Sequence, residues 1–158
     1  MFNLHNTNNM KFFVATLMLS VYSLASYAQR DIDISDVPAA VQEAFKSEFA
    51  NAADVEWEMQ DNQYIVEFEM QDDTDYHALF DASGKMISQK QEIEETALPS
   101  EVVTAIKKDY PDFEVDDAEK LTKDGETYYQ VELEKFLRDE KKVYSADGEL
   151  RDDVSYWN

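Results

Sequence analysis

Residues 80–86 read FDASGKM and residues 144–150 read YSADGEL. Each stretch begins with an aromatic residue, continues with three small or turn-forming residues and a glycine, and ends with a long apolar residue. A glycine can adopt a positive φ, and a glycine turn next to alternating segments predicts a β-hairpin. Because Gly84 and Gly148 are 64 residues apart, the same predicted hairpin occurs twice in the chain.

A helical pattern precedes each hairpin. Apolar residues recur at the i, i+3 and i+4 spacing of an amphipathic helix, and the equivalent positions of the two segments are 61 residues apart. These positions are Pro38 and Pro99, Phe45 and Ile106, and Phe49 and Tyr110. Asp36 is the predicted N-cap of the first helix, with Pro38 in its first turn. Pro111 is expected to stop the second helix because proline cannot continue the hydrogen-bond ladder.

After each helical segment the period changes to two, which predicts β-strands. The VEF of residues 66–68 matches the VEL of residues 131–133. The predicted strands and turns are strand 55–59, turn 61–63, strand 64–71, third strand 76–80, turn 123–126, strand 129–134 and third strand 143–144. The two glycine turns then lead into fourth strands. The fold class is therefore α+β, with two tandem repeats of one helix and about four antiparallel strands.

Two such repeats bury more surface together than apart. Edge-to-edge pairing removes one pair of exposed strand edges, so we expect one curved antiparallel sheet of about eight strands with both helices on one face. Repeat 1 covers residues 36–90, repeat 2 covers residues 97–157, and both form a single domain after a lead at residues 29–35. The polar stretch QKQEIEET at residues 89–96 is either a linker or an extension of the fourth strand.

The first 28 residues have the pattern of a signal peptide. Lys11 precedes an apolar run at residues 12–24, and Ser26 and Ala28 are small residues before the expected cleavage site. The run is short for a membrane span, although an uncleaved anchor is the alternative. The start is at Met1 or Met10. We expect a periplasmic or secreted protein without membrane insertion after cleavage, and the lack of cysteine excludes a lipoprotein anchor.

Composition narrows the possible functions. The chain has 14 basic and 35 acidic residues, for a net charge of −21, which argues against binding nucleic acid or an anionic membrane. It has no cysteine, and His77 is the one histidine after the signal peptide, so thiol catalysis and sites with two histidine ligands are excluded. The charge favours a basic partner or a hard cation, although solubility alone also explains it.

Several motifs in order resemble the PepSY-like family, also described as beta-lactamase-inhibitor-like. They are the helix opening at proline, the Tyr110-Pro111 stop, the Asp124-Gly125 turn before YQVEL at residues 129–133, and the turn at Gly148. The resemblance covers residues 36–157. Repeat 1 departs from it with Phe49-Ala50 and Asp61-Asn62. The resemblance implies an exported protein with an inhibitory or protein-binding role and supplies no catalytic residues.

The strand period predicts an acidic surface on the sheet. If the apolar positions face the helices, the alternate positions face solvent: Glu56, Glu58, Glu67, Glu69, Glu132 and Glu134, with Tyr128 and Trp157 as aromatic anchors. Like charges on paired strands repel, and a basic protein or peptide would relieve that repulsion. A solvated acidic face is the simpler alternative. Trp157 is equally consistent with a residue that closes the core of the last strand.

A calcium-binding or calcium-regulated protein is the alternative function. Asp72, Asp73 and Asp75 place three carboxylates in one predicted loop, and a second acidic stretch occupies residues 112–117. Ca²⁺ prefers several carboxylate, carbonyl and water oxygens. The residue spacing of an EF-hand is absent. Calcium is the only cofactor for which the sequence gives a candidate site.

An enzyme is the third class considered. Glu67 and Glu69 lie on one predicted strand face about 7 Å apart, a spacing compatible with glycosidase carboxylates. Acid–base chemistry requires one carboxyl with a pKa raised by burial, and both are expected to be exposed. His77 has no nearby Ser or Cys in the sequence to activate. We therefore expect no enzymatic activity.

Overall fold

The computed structural model describes residues 30–71 and 74–158. The predicted signal peptide and the loop residues Asp72 and Asp73 lie outside the described residues. The described chain forms one eight-stranded antiparallel sheet and two α-helices. Neither of these helices is long and apolar enough to cross a lipid bilayer.

The strands pair in chain order, so each one lies next to its neighbours in sequence. They are β1 (Arg30–Asp31), β2 (Ala53–Gln60), β3 (Gln63–Glu69), β4 (Asp75–Asp81), β5 (Met86–Glu92), β6 (Glu114–Lys123), β7 (Glu126–Lys135) and β8 (Arg138–Ser145). The helices are α1 (Ala39–Glu48) and α2 (Ser100–Asp109), and short 3₁₀ helices at Ile34–Asp36 and Glu95–Ala97 precede them.

Each helix covers its own part of the sheet and forms its own core. In repeat 1, the buried apolar residues of α1, its flanking residues and β2–β4 are Val37, Val41, Phe45, Phe49, Trp57, Val66, Phe68, Ala78 and Phe80. In repeat 2, those of α2, its flanking residues and β6–β8 are Leu98, Val102, Ile106, Ala118, Val131, Leu133 and Tyr144. The paired positions of the predicted helices, Phe45 with Ile106 and Phe49 with Tyr110, thus lie in or against equivalent cores.

The glycines of the two repeated turns contact the first turns of the two helices. Gly84 has φ +86°, and a Cβ on it would lie 2.5 Å from the Ala40 carbonyl oxygen. Gly148 has φ +81°, and a Cβ on it would lie 2.5 Å from the Glu101 carbonyl oxygen. Only glycine fits where the backbones approach this closely with a positive φ. The hairpin motif that predicted the repeat is therefore also the point where each hairpin meets its helix.

The two repeats join through the pairing of β5 with β6. Residues 89–92 belong to β5, so this part of the polar stretch is an extension of the fourth strand rather than a linker. The 3₁₀ helix Glu95–Ala97 then leads into α2.

Two details of the predicted elements are wrong. Asp36 does not cap α1, because it ends the 3₁₀ helix that Asp33 caps through a 2.8 Å hydrogen bond from the Ser35 amide; Pro38 stands at the N-cap of α1. The fourth strand of repeat 2 is also missing from the described chain. After Gly148 the chain makes one bridge, between Tyr144 and Leu150, and then leaves the sheet. The eighth strand is instead β1, which pairs with β2 at the other edge of the sheet.

The register relates the sheet surfaces of the two repeats. Ala78, in the first core, pairs with Gln89, and Gln89 pairs with Thr122. Thr122 lies four residues from Ala118, a member of the second core, and alternate residues of a strand face the same side. This register supports the prediction that both helices lie on one face of the sheet, which remains a prediction.

Candidate binding surface

The strand surface opposite the core of repeat 1 carries a cluster of carboxylates. We call Glu56, Glu58, Glu67 and Glu69 the acidic half-face. Glu56 lies directly across from Glu67 in the β2–β3 pair, and both side chains are exposed. They alternate with Trp57, Val66 and Phe68, which α1 covers. Alternation thus separates a buried aromatic core from a charged surface on the same two strands.

His77 continues this row of cross-strand neighbours toward repeat 2. It pairs with Glu67 on one side and with Lys90 on the other. Burial and then the Lys90 ammonium group lower the pKa of His77, while the carboxylates of Glu67, Glu119 and Asp75 oppose this shift. His77 therefore favours the neutral form although it borders an acidic surface.

The corresponding surface of repeat 2 is covered by the chain itself. We call residues 151–158, which follow the Tyr144–Leu150 bridge, the strap. Val154, Tyr156 and Trp157 of the strap pack on Leu121, Tyr128 and Val143, which alternate along their strands with residues of the second core. The open surface of the sheet is therefore largest in repeat 1.

Three polar residues lie beneath Trp157, and we call Lys90, Glu119 and Gln130 the polar floor. Lys90 Nζ forms a 2.8 Å ion pair with Glu119 Oε1, and Gln130 Nε2 donates to Glu119 Oε2 at 2.7 Å. Lys90 and Gln130 each donate to the Trp157 carbonyl oxygen at 3.1 Å. The Trp157 amide donates to Gln130 Oε1 at 2.8 Å. The floor thus satisfies both main-chain polar groups of Trp157.

Cations lie over the aromatic rings at the strap. Lys90 Nζ is 5.4 Å from the centroid of the Trp157 ring, and Lys141 Nζ is 4.9 Å from that of Tyr156. Burial, followed by the carboxylates of Glu119, Asp117 and Glu132, raises the pKa of Tyr156. The strap tyrosine therefore keeps its hydroxyl proton throughout the neutral range.

The predicted binding residues divide into two groups. Glu56, Glu58, Glu67 and Glu69 come together as the acidic half-face. Glu132 and Glu134 lie on β7, where Glu132 forms a 3.3 Å ion pair with Lys141. Tyr128 is buried beneath the guanidinium of Arg151, and Trp157 packs on the sheet, so neither ring protrudes as an anchor. Trp157 lies on the sheet surface opposite the second core, and its role in binding stays a prediction.

The polar floor was missed by sequence reasoning. Lys90, Glu119 and Gln130 occupy the alternate strand positions at which exposed polar residues are expected. The sequence of these strands does not indicate that a distant segment covers them. Polar residues at strand positions together with two adjacent aromatic residues, Tyr156 and Trp157, after the last turn were the only available signal.

The predicted calcium loop is described only in part. Asp75 begins β4, is exposed and pairs with Glu69, whereas Asp72 and Asp73 lie outside the described residues. Within residues 30–71 and 74–158, no three histidine, cysteine or acidic residues are arranged to hold a metal ion. In the second acidic stretch, Asp112 forms a 2.8 Å ion pair with Lys135. The calcium site stays a prediction.

Two carboxyl groups that are not among the predicted binding residues have raised pKa values. Burial is the main cause for both Glu92 and Asp117, and the carboxylate of Glu119 adds to it in each case. These are not the proposed glycosidase pair of Glu67 and Glu69, of which Glu67 is exposed. The pair considered for acid–base chemistry therefore lies on the solvated part of the sheet.

The fold is a tandem α+β domain in which two helices pack on one sheet. Its candidate binding site is the open acidic half-face, and the strap covers the corresponding surface of repeat 2. Two matches to one family model, at residues 25–88 and 70–152, span most of the chain. The chain belongs to this family, whose description is "Putative beta-lactamase-inhibitor-like, PepSY-like". The paired matches also suggest tandem repeats, and they end before most of the strap. No curated protein matches the chain.

Solved structures share the fold. A DUF2874 family protein of Bacteroides uniformis aligns with a TM-score of 0.67 at 21% identity, over 72% of this chain and 85% of that one. A BLIP-like protein of Bacteroides fragilis aligns with a TM-score of 0.63 at 26% identity, over 72% and 82%. A Bacteroides eggerthii protein, described as one of the "putative periplasmic proteins", aligns with a TM-score of 0.67 at 18% identity, over 72% and 85%.

Proposed function

We propose that this protein is a periplasmic or secreted binding module that recognises a basic protein or peptide through its acidic half-face. The family description and the BLIP-like neighbour support a protein partner. The predicted signal peptide and the "putative periplasmic" neighbour support a location outside the cytoplasm. Inhibition of an enzyme is one form that this binding can take.

The observation that carries the proposal is the cross-strand pair of Glu56 and Glu67. Like charges directly opposite each other destabilise a sheet by a few tenths of a kcal/mol up to about 1 kcal/mol. A lysine or arginine of a partner placed between these two carboxylates would turn this repulsion into attraction. Complementary charge of this kind also accelerates encounter at low salt.

The test measures binding of a labelled peptide rich in arginine to the intact protein. The face variant is Glu56→Gln with Glu67→Gln, and the matched control is Glu43→Gln with Glu48→Gln, two exposed carboxylates of α1. Both variants lose two negative charges. We expect the face variant to lose about tenfold in affinity, equal to about 1.4 kcal/mol, and the control to lose far less.

Equal losses in the two variants would contradict the proposal, because they would show attraction by net charge alone. Addition of a chelator distinguishes direct binding to the acidic half-face from the calcium-regulated alternative. A salt-sensitive complex that survives chelator agrees with direct binding to the acidic half-face. A complex that disappears with chelator and returns with calcium would favour the calcium-regulated function instead.

A further inference from the structure

The strap occupies a site that forms hydrogen bonds with a peptide backbone. Gln130, which is 0% exposed, accepts from the Trp157 amide and donates to the Trp157 carbonyl. Lys90 donates to the same carbonyl. A buried side-chain amide that satisfies both polar groups of one residue replaces the contacts that a neighbouring strand would supply. The contacts to the main chain do not depend on which side chain the bound residue carries.

The polar floor lies beside the apolar residues Leu121, Tyr128 and Val143, on which the strap also packs. Lys90 is 5% exposed and Glu119 is 9% exposed, and burying such a pair costs desolvation energy that their attraction offsets only in part. If the strap leaves, water can hydrate both charges again, so part of the lost contact energy is recovered. A purely apolar floor would recover nothing on exposure. Hydration of this ion pair therefore lowers the free energy that release of the strap costs.

Side chains around the floor select aromatic residues. The Trp157 ring lies near the Lys90 ammonium and is in a T-shaped arrangement with the His77 ring, with ring centroids 6.3 Å apart. The Tyr156 ring lies near the Lys141 ammonium. A cation near the face of an aromatic ring is attracted by the negative charge density of that face. Two adjacent aromatic residues in an extended segment thus fit this surface.

The strap contributes little to the regular structure. It contains no helix or strand, and the β5–β8 pairings that carry the floor residues do not include it. Its first residue donates to the sheet, from the Arg151 amide to the Val143 carbonyl at 2.8 Å, and this contact precedes the aromatic residues. Residues 154–158 can therefore detach while the sheet and its floor remain.

We propose that the polar floor is a peptide-binding site for an extended segment with two adjacent aromatic residues, and that the strap fills this site in cis. A partner peptide binds when it displaces Tyr156 and Trp157. The site is separate from the acidic half-face, so the inference goes beyond the proposed function and does not depend on it.

The test uses the intact protein and a labelled octapeptide with the sequence of residues 151–158, RDDVSYWN. Tyr156→Ala with Trp157→Ala weakens the strap and leaves the floor unchanged. The peptide should bind this variant with 1:1 stoichiometry and about tenfold more tightly than it binds the wild type, because a tethered competitor lowers apparent affinity. The control peptide RDDVSAAN, which keeps only the main-chain contacts, should bind far more weakly. Fluorescence anisotropy measures all four combinations.

A further variant tests the backbone contacts. Adding Gln130→Met to the strap variant removes the amide at nearly constant volume and should abolish peptide binding, while circular dichroism confirms that the protein is folded. If that variant does not unfold cooperatively, His77→Ala replaces it. This change removes the T-shaped arrangement with Trp157 and should weaken binding about threefold, or less than 1 kcal/mol.

Three results would overturn the inference. They are no binding to the folded strap variant, equal binding to variant and wild type, and equal binding of the control peptide. A fourth experiment tests whether two copies of the protein exchange their straps. If sedimentation shows that the wild type is a dimer and the free peptide does not bind the strap variant, the segment serves self-association rather than recognition. The probe carries one Arg and two Asp, so the acidic half-face does not attract it, and the two proposals fail independently.

Discussion

The two repeats use one strand pattern to make two different surfaces. In repeat 1 the strand face away from the core bears Glu56 across from Glu67 and is open. In repeat 2 the equivalent face is covered by the strap. The difference follows from what comes after each glycine turn. The chain after Gly84 forms β5 and pairs with β6, whereas the chain after Gly148 makes one bridge and then packs on the sheet as the strap.

The cores differ in chemistry as well. The first core holds a cluster of aromatic rings: the Phe68 ring centroid lies 5.1 Å from that of Phe45 and 4.5 Å from that of Phe49. The second core is mainly aliphatic, and Leu133 stands where Phe68 stands in the first. The two repeats thus bury equivalent positions but fill them with different kinds of apolar side chain.

The largest expected effect comes from emptying these equivalent core positions. Phe68→Ala should lower the free energy of unfolding by about 4 kcal/mol and Leu133→Ala by about 3 kcal/mol, because the larger ring leaves the larger cavity and loses its aromatic contacts. Urea titration of both variants measures the difference. A greater loss for Leu133→Ala would show that the second core, rather than the aromatic one, dominates stability.

The glycines that contact the helices give the next effect. Gly84→Ala and Gly148→Ala should each cost about 2–3 kcal/mol, since the new Cβ meets a helix carbonyl at a positive φ. Gly125→Ala is the control: its φ is +80°, but nothing lies within 4 Å of the new Cβ, so about 1 kcal/mol is expected. Thermal unfolding compares the three. Equal losses in all of them would assign the effect to φ alone.

A smaller effect is expected at the tip of the β7–β8 hairpin. Other tight turns use residues suited to a positive φ, such as Asn62 and Gly125, but here Leu137 has φ 61° and is 93% exposed. Leu137→Gly should therefore raise the free energy of unfolding by about 0.5–1 kcal/mol. Leu137→Ala, which keeps the strained φ and removes the bulk, is the control and should not stabilise.

The smallest expected effect is on the pH dependence of stability. It involves His77, which lies between the acidic half-face and the polar floor. Burial and Lys90 lower the pKa of His77 in the folded protein below its ordinary value of 6.5. The unfolded state thus binds the proton more readily, and stability falls as the pH drops from 7.5 through 6.5 toward the lowered pKa. His77→Gln should flatten this part of the profile in chemical unfolding at several pH values. An unchanged slope would show that other groups cause it.

Sequence patterns predicted the features that neighbouring residues decide. The period of two, the turns at Asn62 and Gly125, and the stop at Tyr110 fix elements locally, and each is found. The family resemblance is confirmed by the two matches. Asp36 was misplaced because the sequence pattern did not separate the short 3₁₀ helix, which Asp36 ends, from the α-helix that follows it.

The candidate site was less predictable because it depends on distant contacts. Trp157 meets Lys90 and Gln130 across 67 and 27 residues of sequence, and no periodicity encodes such a contact. The acidic half-face was predictable, since Glu56 and Glu67 follow from the strand period and the turn between them. What the half-face binds, and whether Asp72, Asp73 and Asp75 hold calcium, depend on ligands that the strand pattern does not specify.

The strictly sequential order of the strands also sets a route of folding. Every strand pairs with the one made before it, so a chain that emerges N-terminus first can add hairpins one at a time without waiting for distant partners. The strap can dock only after β5, β6 and β7 have brought Lys90, Glu119 and Gln130 together. Its docking therefore depends on the pairing of the last strand of repeat 1 with the strands of repeat 2.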